Sequence, residues 1–223
     1  MSLLSRLGLP FDAAPTGPLG QGVYAVRDGI VNLYLVIGGE AAIAIDAGQN
    51  QRRVAHALAK LPVGSDAVAA VFLTHGDSDH VGALSLMPNA TVYLGRDEEQ
   101  MVEGRTPRFG GRVYGTGLGQ PYTLLDDGQV VTAGDLVVQA IATPGHTPGS
   151  MSYLVNDRLL FTGDTLSLRR GVAGTSPRPI NMDNKRERAS IRKLAQLEGV
   201  ALLCTGHSGC TADWASAMAP WRV

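Results

Sequence analysis

Four of the five histidines in this 223-residue chain fall in short glycine-bearing segments, each directly after an apolar run. His75 and His80 lie in HGDSDH (75–80), His146 in TPGHTPGS (143–150) and His207 in TGHSG (205–209). Asp164, in FTGDT (161–165), follows another apolar run in the same way. Imidazole nitrogen and carboxylate oxygen together suit zinc, iron or manganese. HGDSDH alone offers four candidate ligands, His75, Asp77, Asp79 and His80. Two metal ions about 3.5–4 Å apart can share such a segment. Glycines 76, 145, 163 and 206 adjoin the candidate ligands and permit sharp turns and close packing of the loops beneath a metal.

Side chains so far apart along the chain meet only if each sits at the carboxyl end of a strand, where different loops converge on one cleft. The pattern provides such strands. Apolar runs predict strands at 22–26, 32–38 and 41–46, with a hairpin signal at Gly38-Gly39, and at 67–73, 91–95, 136–143 and 200–204. A further hairpin, 151–155 with 158–161, turns at Asn156-Asp157. Helical spacing predicts helices over 51–61, over 80–86 with Asp79 as cap, over 96–103, over 184–197 and over 211–218. Residues 104–120 and 171–182 read as irregular loops able to shape a pocket. A strand meander followed by strand–helix alternation, in two loosely similar halves, predicts an α/β fold of two packed sheets with helices outside. The length suits a single domain, 1–223, with residues 1–20 as an irregular lead-in.

These segments resemble the metallo-β-lactamase superfamily. HGDSDH is similar to its signature H-x-H-x-D-H at His75, Asp79 and His80; GHTPGS, FTGDT and TGHSG match later motifs at His146, Asp164 and His207, and AIDAG (44–48) an earlier one at Asp46. The resemblance spans residues 22–209. It implies an αββα four-layer sandwich, two mixed sheets face to face with helices on both outer faces. It also implies two divalent metal ions, zinc first among them. One would use His75, Asp77 and His146, the other Asp79, His80 and His207, with Asp164 bridging and Asp46 supporting the site. A bridging hydroxide would be the nucleophile, and Asp79 would hold it and pass its proton.

The signature is broken once, because Asp77 stands where the second histidine belongs. Asp77 can ligate the first metal, or point away and leave that site weak, or mark a chain without activity. If it ligates, three carboxylates face the metals instead of two, which makes a less electrophilic centre and admits iron or manganese beside zinc. Flavo-diiron relatives carry a glutamate ligand at this position.

Other residues carry blander readings. His56 lies on the 51–61 helix pattern as a surface residue, and Cys204 and Cys210 read as apolar fillers. GTGLGQ (115–120) lacks the spacing of a phosphate loop, and GDSDH fails the serine-nucleophile pattern. Arg105, Arg108, Arg112, Arg169, Arg170 and Arg178 read first as solvated charges and second as anchors for a carboxylate or phosphate; Tyr114 can polarise a carbonyl. The net charge of -1 offers no bulk attraction to nucleic acid or to an anionic membrane. No apolar run approaches a membrane span, and the start MSLLSRLGLPFDAAPTG lacks the pattern of a signal peptide, so the expected location is the cytoplasm.

The implied activity is metal-dependent hydrolysis of a carbonyl-type bond, a thioester, ester or lactone, in a small molecule whose binding residues the sequence does not name. The alternatives are a diiron oxidoreductase and a metal-binding module without turnover.

Overall fold

The computed structural model describes residues 11–108, 111, 113 and 117–222. The expectations for residues 1–10 and for Arg112 and Tyr114 lie outside the described residues. One sheet holds β1 (Gly17–Gly20), β2 (Val23–Asp28), β3 (Val31–Ile37), β4 (Ala42–Ile45), β5 (Val68–Leu73), β6 (Thr91–Gly95) and β7 (Tyr122–Leu125) in sequence order. Strands β1 to β4 meander antiparallel, whereas β4 to β7 run parallel. The parallel crossovers carry α1 (Gln51–Leu58), then α2 (Ser78–Val81), then α3 (Glu99–Val102).

The second sheet is built from β8 (Val130–Ala133), β9 (Leu136–Ala142), β10 (Met151–Val155), β11 (Leu159–Phe161), β14 (Leu202–Cys204) and β15 (Cys210–Thr211). Strands β11 and β14 are parallel neighbours joined through α4 (Asn184–Leu194), and α5 (Trp214–Met218) follows β15. A separate hairpin pairs β12 (Ser167–Arg169) with β13 (Val172–Gly174).

Alternation along the strands assigns each face. In β3, Tyr34 and Val36 enter the core between the sheets, while Leu33 and Leu35 pack outward with Val54 and Leu58 of α1. In β5, Ala70 and Phe72 face in, and Val71 and Leu73 face out. In β10, Tyr153 and Val155 face in, and Leu154 joins Ile191, Leu194 and Trp214 outside. Three apolar seams therefore separate four layers, helix, sheet, sheet and helix, which is the expected αββα sandwich. Each fully buried large side chain in these seams contributes roughly 1.5–3 kcal/mol. Side chains close the helix starts: Asn50 accepts from the Arg53 amide, and Asp183 from the amides of Lys185 and Arg186.

The structure departs from the sequence reading in six strands and two helices. The pattern did not resolve β1, β7, β8, β12, β13 or β15, and β15 takes up the start of the helix expected over 211–218, which begins at Trp214. These strands are two to four residues long, and β1, β7, β8 and β15 are only partly covered, so they carry little hydrophobic alternation. The helix expected over 80–86 is α2 followed by a separate 3-10 turn at Leu84–Leu86. Asp77, not Asp79, occupies its cap position, and Asp79 sits inside the first turn.

Candidate metal centre

The parallel strands β4 and β5 end side by side, and Asp46, Thr74 and His75 follow them directly. His146 lies in the β9–β10 connection, Asp164 after β11 and His207 after β14. These loops meet at one edge of the sandwich. Three overlapping sets have ligand atoms within 4.8 Å of one another: His75, Asp77 and His146; His75, His80 and Asp164; and Asp79, His80 and His207. All the candidate ligands read from the sequence are thus brought together. Asp164 faces both sides, with Oδ1 3.4 Å from His80 Nε2 and Oδ2 3.1 Å from His207 Nε2 and 3.5 Å from His146 Nε2.

Each histidine is turned the same way. His80 Nδ1 lies 2.7 Å from Asp46 Oδ2, His75 Nδ1 3.0 Å from Thr74 Oγ1, His146 Nδ1 3.1 Å from Asn181 Oδ1 and His207 Nδ1 2.9 Å from the Ile30 carbonyl. With Nδ1 engaged outward, every Nε2 points inward, as ligating imidazoles do when an outer acceptor fixes the tautomer. Asp46 takes the supporting place expected of it. It also accepts from the Thr74 amide at 2.7 Å and from the Thr74 hydroxyl at 2.9 Å, from a backbone with φ of 61°. Glycine is required beneath the centre, because a Cβ on Gly206 would collide with Asp164 Oδ1 and come within 3.0 Å of His80 Cε1.

Sequence reading missed Glu98. Fully buried, it accepts from the Gly76 amide at 2.8 Å, the Thr147 hydroxyl at 2.6 Å and the Gly149 amide at 3.0 Å. It ties the 75–80 loop to the 143–150 loop, and nothing in its spacing announces this. Burial raises the Glu98 pKa, against the pull of His75 and of its donors. Thr74 and Asn181 were missed in the same way. Phe11, in the expected lead-in, meets the His207 ring edge-on at 5.5 Å between centroids. Phe11, Ser167, Ser176, Pro177 and Ile180 wall a cleft that opens on Asp164 and His207.

Electrostatics separate the two sides of the centre. Burial alone would raise the Asp79 carboxyl, but His80 and His207 outweigh it and hold it at about 2. Burial would lower His207, yet Asp164 and Asp79 lift it to about 10, and His80 is raised by Asp46, Asp164 and Asp79 against the same burial. Buried His75 Nε2, His80 Nε2 and Asp164 Oδ1 have no hydrogen-bond partner. Such orphaned atoms are costly, and a divalent cation is the group that satisfies all of them. Asp79, His80, Asp164 and His207 therefore fit a metal ion.

Asp77 and His146 do not fit one in the same way. The buried Arg108 guanidinium donates from Nη2 to Asp77 Oδ2 at 2.8 Å and from Nε to Asp77 Oδ1 at 3.1 Å, and Nη2 lies 2.8 Å from His146 Nε2. The expectation that Arg108 is a solvated charge is corrected: it binds a carboxylate of its own chain. Despite burial, His146, His75 and Arg108 hold Asp77 far below the usual carboxylate range, and burial first of all lowers His146. Arg169, Arg170, Arg178 and His56 are exposed, and Arg105 pairs with Glu99 and Glu103. Cys204 and Cys210 are free thiols.

The sequence profile of the metallo-beta-lactamase superfamily matches residues 26–207, and the chain belongs to that superfamily. Among curated relatives, a probable polyketide biosynthesis zinc-dependent hydrolase, BaeB of Bacillus velezensis, is 32% identical over 57% of this chain and 50% of its own length. A hydroxyacylglutathione hydrolase of Xanthomonas axonopodis pv. citri is 30% identical over 82% of this chain and 63% of its own. The chain thus spans half to under two thirds of the length of these relatives. Rm3 metallo-beta-lactamase shares the fold with a TM-score of 0.73, 19% identity and coverage of 94% of this chain and 90% of its own. Among the described residues, no helix is long and apolar enough to cross a membrane.

Proposed function

We propose that this chain is a zinc-dependent hydrolase that cleaves a carbonyl-type bond, a thioester, ester or lactone, in a small molecule. The observation that carries this reading is the convergence of buried, unpartnered His75 Nε2, His80 Nε2 and Asp164 Oδ1, with Asp164 and His207 lining a small cleft beside them. The names of the relatives support it, one a zinc-dependent hydrolase and another the hydrolase of an acylated glutathione.

A divalent cation held there supplies Lewis acidity and brings the pKa of water towards neutrality. The chain's own groups do the rest. Asp79, ionised and with its side chain partly exposed, is placed to hold a water and accept its proton. His207, at the cleft wall, orients against Phe11 and the Ile30 carbonyl. Asp46 and Thr74 keep His80 and His75 from rotating.

Zinc-loaded protein assayed on thioester, ester, lactone, β-lactam and phosphodiester panels tests the proposal. Turnover of at least one carbonyl ester class, lost on chelation and restored by zinc, is expected. Asp79→Asn should reduce kcat by roughly 10²–10⁴-fold, the usual worth of a positioned acid or base. Metal-loaded, folded protein inert across the panel would leave a binding module instead. The diiron alternative rested on a carboxylate at position 77 free to ligate, and that carboxylate is engaged by Arg108.

A further inference from the structure

We infer that Arg108 takes the place of the first metal ion, so that the loaded protein carries one cation, on the side of Asp79, His80, Asp164 and His207. The inference rests on the hydrolase reading for the existence of that one cation, and goes beyond it in fixing the count.

The argument is one of lone pairs. A neutral imidazole has a single nitrogen lone pair to give. In His146 the Nδ1–H is directed at Asn181 Oδ1, which leaves Nε2 as that lone pair, and Arg108 Nη2 stands 2.8 Å from it. A guanidinium only donates and stays protonated, so this nitrogen cannot serve a metal at the same time. Both oxygens of Asp77 accept from the same guanidinium. Two of the three ligands of the first triad are thereby used; the third, His75, whose Nε2 has no partner, also forms a set with His80 and Asp164.

On the other side no such group intrudes: His80 Nε2 and Asp164 Oδ1 have no partner. The departure at position 77 and the arginine 31 residues later are then one device. A planar fork requires a carboxylate opposite it, and a histidine at position 77 would face the guanidinium without one. The single cation implies that an anionic or carbonyl oxygen of the substrate meets a metal on one side and a fixed organic cation behind Asp77 on the other.

The test is the zinc count of the full chain, by elemental mass spectrometry after dialysis and by calorimetric titration of stripped protein. One tight equivalent is expected for the native sequence. Arg108→Ala, or the charge-neutral double variant Asp77→His with Arg108→Ala should the single one not fold, is expected to take up a second. Cobalt(II) in place of zinc gives an independent readout, because a neighbouring pair of ions couples magnetically and a lone ion does not. Two equivalents of similar affinity in the native chain would overturn the inference while leaving the hydrolase reading intact. So would folded variants that still bind one. A native chain that binds no zinc would sink the hydrolase reading, and this inference with it.

Discussion

The two sides of the centre are built from similar residues and held by different physics. His80 rests on Asp46, an acceptor fixed in turn by the Thr74 amide and hydroxyl. His146 rests on the neutral amide oxygen of Asn181. On the His80 side His80 Nε2 and Asp164 Oδ1 are left without partners; on the His146 side a buried guanidinium occupies Asp77 and His146 Nε2, and of that triad His75 Nε2 is left open. The difference teaches that sharing a cleft and a residue alphabet does not make two equal metal sites. What decides is whether the lone pairs aimed inward are still available.

The largest effect that would break this contrast is expected at the shared carboxylate. Asp164→Ala should weaken zinc binding by more than the roughly 10–100-fold that loss of a supporting partner costs, and should abolish turnover. Asp77→Ala, on the other side, should leave the zinc count unchanged and act on stability. It strands Arg108 in a buried setting, and breaking a buried ion pair costs about 3–5 kcal/mol. Chemical denaturation with metal analysis on both variants reads the pair. Equal losses of zinc would show that the two sides are equivalent after all.

A smaller effect is expected one layer out. Asp46→Asn keeps an acceptor for one donor but presents an amide to the Thr74 hydroxyl or to His80. Zinc affinity should fall by roughly 10–100-fold with the fold intact. Glu98→Gln should do less. It loosens the tie between the two ligand loops by leaving one donor among Gly76, Thr147 and Gly149 unmatched, at about 1–3 kcal/mol of stability. Unfolding of the metal-free variants against the native chain measures both.

Much of this centre was legible in the sequence, because metal ligands are few, chemically distinctive and tied to strand ends. Every candidate ligand from His75 to His207 lies where the strand-end argument puts it. The layered fold was legible too, since β3, β5 and β10 alternate cleanly between two buried faces. Glu98, Asn181 and Arg108 were not. Each acts through hydrogen bonds to residues 22 or more positions away, a relation that leaves no local period, and their residue types are common on surfaces. The short strands β7, β8, β12 and β13 escaped for the opposite reason: three or four residues cannot display a period at all.

The subtlest consequence lies behind His146. Asn181 is packed beside Glu187, whose carboxyl accepts from the Ser176 amide at 2.8 Å and is pushed up to about 7, chiefly by burial and partly by Asp164. In the unfolded chain the same group titrates near its ordinary value of about 4.3. The folded state therefore keeps a proton that the unfolded state has already lost. Glu187 thus contributes stability that is complete below about pH 4.3 and is lost as the pH climbs through about 7, with no further change above. Glu187→Gln retains an acceptor for Ser176 and cannot ionise. Between pH 5 and pH 8 the melting temperature of the metal-free native chain should fall more than that of the variant. Parallel pH profiles for the two proteins would show that Glu187 carries no such effect.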